Sequence, residues 1–426
     1  MNEKTPRASS CAFSVVPNAY EGPKDRSLIM EAIDLAAYNM IAAGNSYFGL
    51  PRLGEGLRGD RSSVEPVIPP ILLKSISWIE SSSAQTQGAP FGGMGPALIS
   101  FACGHGVMQV TSGMTVPLGT NGPSPEQVLV ATHYAYNIAR GAAILADKWN
   151  AAPEGHPIAG TDTNGDPEIV ENWYFAVWSY NGFTGPGASR SNHPMDPIYG
   201  DWPRTPYSCG SADDGFGHDR SKYPYQELVW GCASNPPVVN GQRVWDPFQI
   251  SYPNLKDPAW RNPLQLANWT APYANMDMPT PRPSHTDPTQ QPAASDAYAI
   301  LGLPKLLVYQ TNVSITLDEN GNAAPVVVRM GNGGTGVLAW GATTTSSWLG
   351  LSPPAGVALG SDVYCADADD CDRDAELTLT VNPAGLASGS RRASVRVYSP
   401  QTNESQTITV TIASIGKTGI PGVVKH

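Results

Sequence analysis

Apolar residues recur at helical spacing over residues 26–43, where Leu28, Ile29, Ile33, Leu35, Ala36 and Met40 fall on one face. A second apolar run, Ile71-Leu72-Leu73-Lys74-Ser75-Ile76-Ser77-Trp78-Ile79, ends on a single acid, Glu80. Pro69-Pro70 precedes it and suits a first helical turn, where a missing amide donor costs little. Ser124-Pro125-Glu126 combines a cap, a proline and an acid near the positive end of the helix dipole, and predicts a helix running to about Asn150. After a polar loop over 151–166, Pro167 opens a helix carrying Trp173, Ala176, Tyr180 and Asn181, and Gly182 ends it. Residues 183–262 are rich in Gly, Pro and aromatics and show little period beyond one short helix at Tyr223–Trp230.

The period changes near Leu301. Leu306–Tyr309, Val313–Leu317, Val326–Arg329, Leu377–Val381, Ala393–Val397 and Thr407–Ile412 alternate or are β-branched, with turn residues between them. That spacing indicates an antiparallel sandwich of about seven strands. Between the two patterns, Pro272, Pro279, Pro281, Pro283, Pro288 and Pro292 mark a stiff, extended linker. The expected fold class is therefore multi-domain. A mainly α domain spans 1–262, a linker 263–300, an all-β sandwich 301–415 and a tail 416–426.

Composition narrows the classes. The 426 residues are 41% hydrophobic and only 15% charged, enough apolar material for sizeable cores. A net charge of −11 argues against nucleic acid as a partner, since that needs a basic footprint. No apolar run is long enough to span a bilayer. The six cysteines, Cys11, Cys103, Cys209, Cys232, Cys365 and Cys371, include no pair at zinc or redox spacing. Disulfides are the better reading: Cys365–Cys371 around a small acidic loop, Cys209–Cys232 across the Gly/Pro-rich segment, and Cys11–Cys103 by remainder. They imply a secreted or cell-envelope location. The N-terminus lacks the apolar core of a signal peptide, so a leader is expected to have been removed before the first residue.

Three short motifs carry the chemistry: Glu80-Ser81 at a helix end, Gly104-His105-Gly106-Val107-Met108-Gln109 in a Gly-rich turn, and Tyr180-Asn181 at a second helix end. A glycosidic bond breaks when its leaving oxygen is protonated, and an apolar setting keeps a carboxyl protonated near neutral pH. In order and context the motifs resemble the lysozyme-like lytic transglycosylases. The resemblance covers the first 260 or so residues. It implies a peptidoglycan lytic transglycosylase that cleaves MurNAc–GlcNAc strands with Glu80 as sole acid/base, forming a 1,6-anhydro product. It further implies that Ser81, Met108, Gln109, Tyr180 and Asn181 line the cleft, with the Tyr180 hydroxyl directed at the acid or the sugar. The family usually has a residue between Asn and Gly, whereas Gly182 follows Asn181 directly. The gap from Glu80 to Met108 implies an additional loop near the cleft. Ser347–Pro353 with Asn382–Gly389 resembles the BACON-type immunoglobulin-like modules, in which Trp348 would belong to the core.

Two other functions are weighed. A hydrolytic lysozyme would need a second carboxylate to position water, drawn from Asp162, Asp166 or Glu171. A non-catalytic wall-glycan-binding protein would need none. No cofactor is required. Asp162, Asn164 and Asp166 follow the oxygen spacing of a calcium loop, but Pro167 stands where such loops place Gly. A monomer acting on glycan strands is expected.

Overall fold

The structure is a computed structural model describing residues 11, 18–21, 26–88, 93–114, 122–185, 191–266, 276–364, 372–386 and 391–414. Two units emerge. One holds residues 18–111 and 133–300; the other holds residues 112–132 and those from Leu301 on.

In the first unit, α1 (Ser27–Ala37) and α2 (Pro70–Ser81) form where the helical period lies. Ile71, Leu72, Leu73, Ile76 and Ile79 of α2 are buried, and so are Ser75 and Ser77, as expected of a helix enclosed on several sides. It packs against α1 and against α6 (Tyr225–Ser234). The single helix expected from Ser124 to about Asn150 is two. α3 (Pro125–Thr132) stops at His133, whose extended backbone pairs with Tyr20, and α4 (Tyr134–Gly155) restarts there. α5 (Tyr174–Tyr180) follows a single 3₁₀ turn over Val170–Trp173. α7 (Pro258–Leu266) adds Trp260, which stacks on Phe175 at 5.8 Å. Together with Trp173, Tyr174, Trp178 and Trp230, these rings form an aromatic core.

Three small antiparallel pairs also occur in this unit. They are β1 (Asn18–Tyr20) with β4 (Met94–Pro96), β2 (Leu53–Leu57) with β3 (Asp60–Val64), and β5 (Val238–Val239) with β6 (Gln242–Arg243). The expectation of a mainly α domain is thereby corrected: the chain is 28% helical and 26% strand. The long Gly/Pro-rich stretches cannot sustain helices, so they run as short ladders and turns.

The stretch read as a linker has partners of its own. Residues 276–293 are extended, but they lie along the first unit as a strap. Asp277 pairs with Arg58, Met278 is fully buried and bridges to Ala159, and Thr280 exchanges hydrogen bonds with Asn172 and Thr163. Asp287 accepts from the Ile71 amide, and Tyr38 donates to the Thr289 carbonyl. Prolines keep the strap extended, and the residues between them supply its partners.

The second unit contains two facing sheets. One has the order β12 (Ala355–Leu359), β10 (Val337–Thr344), β14 (Arg392–Tyr398), β15 (Ser405–Ser414), β8 (Asn312–Leu317). The other runs β11 (Leu349–Ser352), β13 (Ala375–Val381), β9 (Val326–Asn332), β7 (Leu306–Val308). Their inner faces share a core that includes Val328, Met330, Trp340, Trp348, Leu377, Val395 and Val410. Against the expected antiparallel arrangement, β15 and β8 pair in parallel. Trp348 is 2% exposed and serves as core, as anticipated. α3 packs on β10 and β12, and a side chain on Gly341 would strike Pro125.

Cys209 is bonded to Cys232, with Cα atoms 5.0 Å apart. Cys11 and Cys103 are each disulfide-bonded. Cys365 and Cys371 lie outside the described residues, as does the 416–426 tail. No helix among the described residues is long and apolar enough to cross a membrane.

Candidate functional site

Glu80 sits in the last turn of α2, half-buried. The helix end is closed by Ser82 and Ser83, both left-handed, whose amides return to the Trp78 and Ser77 carbonyls. The Ile79 carbonyl is taken by Arg220, whose Nη2 donates to it at 2.6 Å. This is a cation at the negative end of a helix dipole.

Three groups act on the Glu80 carboxyl. Tyr225, the first residue of α6, donates its hydroxyl to Glu80 Oε1 at 2.5 Å. The Asn181 amide bonds the carboxyl from the end of α5, and Arg220 adds its charge. Burial raises the Glu80 pKa above the ordinary carboxyl range, and these three groups oppose that rise without cancelling it. The Tyr225 and Tyr180 hydroxyls are themselves pushed well above their usual range, by burial first and by the Glu80 charge second. Asn192 ties the arrangement together. Its Nδ2 donates to Asn181 Oδ1 at 3.0 Å, and its Oδ1 accepts from the Tyr225 amide at 3.3 Å. Asn181 Oδ1 is thereby occupied, which directs its NH₂ group to Glu80.

The Gly-rich turn lies against the same helix end. Ser81 Oγ donates to the Val107 carbonyl at 2.7 Å, and the Tyr180 hydroxyl donates to the Met108 carbonyl at 2.8 Å. Asn137 holds the turn from α4, accepting from the Met108 amide and donating to the His105 carbonyl. A side chain at Gly106 would collide with Gln85, and one at Gly141 with Met108, so both glycines permit close approach.

The structure therefore brings Glu80, Ser81, Met108, Tyr180 and Asn181 to one place, but it reassigns several of them. The Tyr180 hydroxyl, expected on the acid or the sugar, holds the turn, and Tyr225 donates to Glu80. Ser81 binds the turn backbone. Met108 is fully buried against Gly141 and packs rather than lining a cleft. The Gln109 side chain folds back, its Nε2 donating to the Gly106 carbonyl at 2.9 Å.

The three side chains at calcium-loop spacing do not converge. Asp162 accepts from the Thr280 amide and pairs with Arg282 at 2.8 Å. Asn164 donates toward Glu55, and Asp166 accepts from the Glu168 amide. The three side chains serve different partners, and no cluster of three His, Cys, Asp or Glu side chains that could hold a metal occurs among the described residues.

Tyr225, Asn192 and Arg220 escaped the sequence reading because residues 183–262 offer little periodicity. The Tyr225 helix was visible, but its partner lies 145 positions away.

Tyr225→Phe removes a hydrogen bond that favours the ionised carboxyl, so the Glu80 pKa should rise further. A bond of this kind corresponds to about half to one pH unit. The alkaline limb of a pH–rate profile on soluble glycan strands should move upward by that amount; an unmoved limb would separate Tyr225 from the acid.

No family model matches the chain, and no curated protein matches it. Among solved structures, the ASH / PapD-like domain of human CEP192 (PapD-like domain 7) is similar at 12% identity. That match covers 26% of this chain and 85% of the other, with a TM-score of 0.20. A likeness of that score carries no argument about fold or function.

Proposed function

We propose that this protein is a lytic transglycosylase that cleaves the β-1,4 bond between MurNAc and GlcNAc in peptidoglycan strands. Glu80 is its single acid/base. The observation that carries the reading is the Glu80 carboxyl itself: its pKa raised by burial, its oxygens bonded by Tyr225 and Asn181, and no carboxylate among the groups that act on it.

Protonated Glu80 gives its proton to the glycosidic oxygen as the C1–O bond breaks. The 6-hydroxyl of the same muramyl sugar then attacks C1, and its proton returns to the Glu80 carboxylate. Atoms balance without added water, and a 1,6-anhydro end results. Hydrolysis calls for a second carboxylate at the scissile bond. The three candidates for it are engaged elsewhere: Asp162 and Asp166 in the strap-side loop, and Glu171 with His285. The two disulfides fit a secreted or cell-envelope location, where the substrate lies.

Mass analysis of fragments released from purified strands tests the reaction. Anhydromuramyl ends, lighter by one water than hydrolytic ends, are expected. Reducing ends would replace the mechanism by hydrolysis. Tight binding with no fragment released would make the protein a glycan binder.

A further inference from the structure

Arg220 is out of place beside a general acid. A neighbouring cation favours the ionised carboxyl, whereas proton donation needs the neutral one. Its chain position explains how it is held there. Arg220 opens a short 3₁₀ turn, Arg220–Lys222, and one guanidinium nitrogen is fixed on the Ile79 carbonyl, next in sequence to Glu80. The residue is exposed, and among the described residues it forms no ion pair. The adjacent carboxylate, Asp219, accepts from the amide and hydroxyl of Ser221 instead. The exposed guanidinium fork therefore retains donors beyond the one held by the Ile79 carbonyl. The other charged or titratable groups facing Glu80 are Tyr225 from α6 and Tyr180 from α5, both neutral. Among the described residues, Arg220 is the cation that acts on Glu80, while Arg140 acts on Tyr180.

We infer that Arg220 binds a carboxylate carried by the glycan next to the scissile bond, so that the preferred substrate is an anionic strand. The inference rests on the glycan reading of Glu80 and adds the substrate class. The carboxylate could belong to the lactyl ether of a muramyl sugar stripped of peptide, or to the peptide still attached. Either would pair with a planar, bidentate donor. Binding has a second consequence. A bound anion offsets the Arg220 charge, which removes one of the three influences holding the Glu80 pKa down. The acid is then better protonated with substrate present than without it.

The test uses the full chain carrying Glu80→Gln, so that strands bind without being consumed. Affinity is measured with and without Arg220→Gln for peptide-free strands, peptide-bearing strands, and peptide-free strands whose lactyl carboxyls have been reduced to alcohols. A charge-assisted contact of this kind is worth about tenfold or more in affinity. Arg220→Gln should cost that much on one or both anionic strands and leave the reduced strands unchanged. Loss only on peptide-free strands assigns the lactyl group, and loss only on peptide-bearing strands assigns the peptide. Equal loss on reduced and anionic strands would make Arg220 structural and overturn the inference, as would no loss on any. Failure of the Glu80→Gln protein to bind any strand would overturn it together with the glycan reading. If Glu80→Gln is found to retain turnover while the Arg220 dependence holds, only the catalytic reading fails.

Discussion

Glu80→Gln is expected to lower release of glycan fragments by about 10²–10⁴-fold or more, since one group serves both proton transfers. The same change should leave the fold intact and stabilise it as pH rises. Burial raises the Glu80 pKa. Between the ordinary carboxyl range and that raised value, the folded chain therefore holds a proton that the unfolded chain has released. The stability linked to that proton is fully present in acid and is lost as pH climbs through the raised pKa. Glutamine carries no such titration and fits the same space. Melting curves of the two proteins should run close together in acid and separate toward neutral pH, with the variant higher. Near-wild-type turnover would remove Glu80 from catalysis. A gap that closes with rising pH would show that the carboxyl is not held neutral.

The helix carrying Glu80 was legible because its signals are local: two prolines at the start, an apolar run, and one acid at its end. Strands of the second unit are legible for the same reason, as β14 and β8 alternate residue by residue. β10 was not. Six consecutive residues from Val337 are buried, because the core covers one face and α3 packs over the strand from the other, so alternation vanishes. The site was half legible. Glu80 and Asn181 could be selected by motif, but which tyrosine reaches the acid is a tertiary fact. Tyr180 is close in motif and Tyr225 is close in space. The strap misled for a related reason. Its composition reads as a linker, and only the partners of Asp277, Thr280, His285 and Asp287 show where it lies.

Glu171→Ala should lower the unfolding free energy by about 3–5 kcal/mol, since it leaves several hydrogen-bond donors without their acceptor. Glu171 is fully buried in the 3₁₀ turn before α5. One of its oxygens accepts from the Ser251 amide at 3.0 Å and lies 2.7 Å from His285 Nδ1. The other accepts from the His285 amide at 2.9 Å. Three chain segments thus converge on one carboxylate: the turn before α5, the stretch at Ser251, and the strap. Alanine would strand all three donors, and an unmet buried donor costs about 1–3 kcal/mol. Glu171→Gln keeps one acceptor oxygen and should lose less. Urea unfolding of the full chain, followed by tryptophan emission, reads the change as a lower midpoint. Turnover measured well below that midpoint should stay near wild type, because Glu171 is committed to the strap and not to the scissile bond. If the folded Glu171→Ala protein lost turnover instead, Glu171 would return as the second carboxylate, and the single-acid mechanism would give way to hydrolysis.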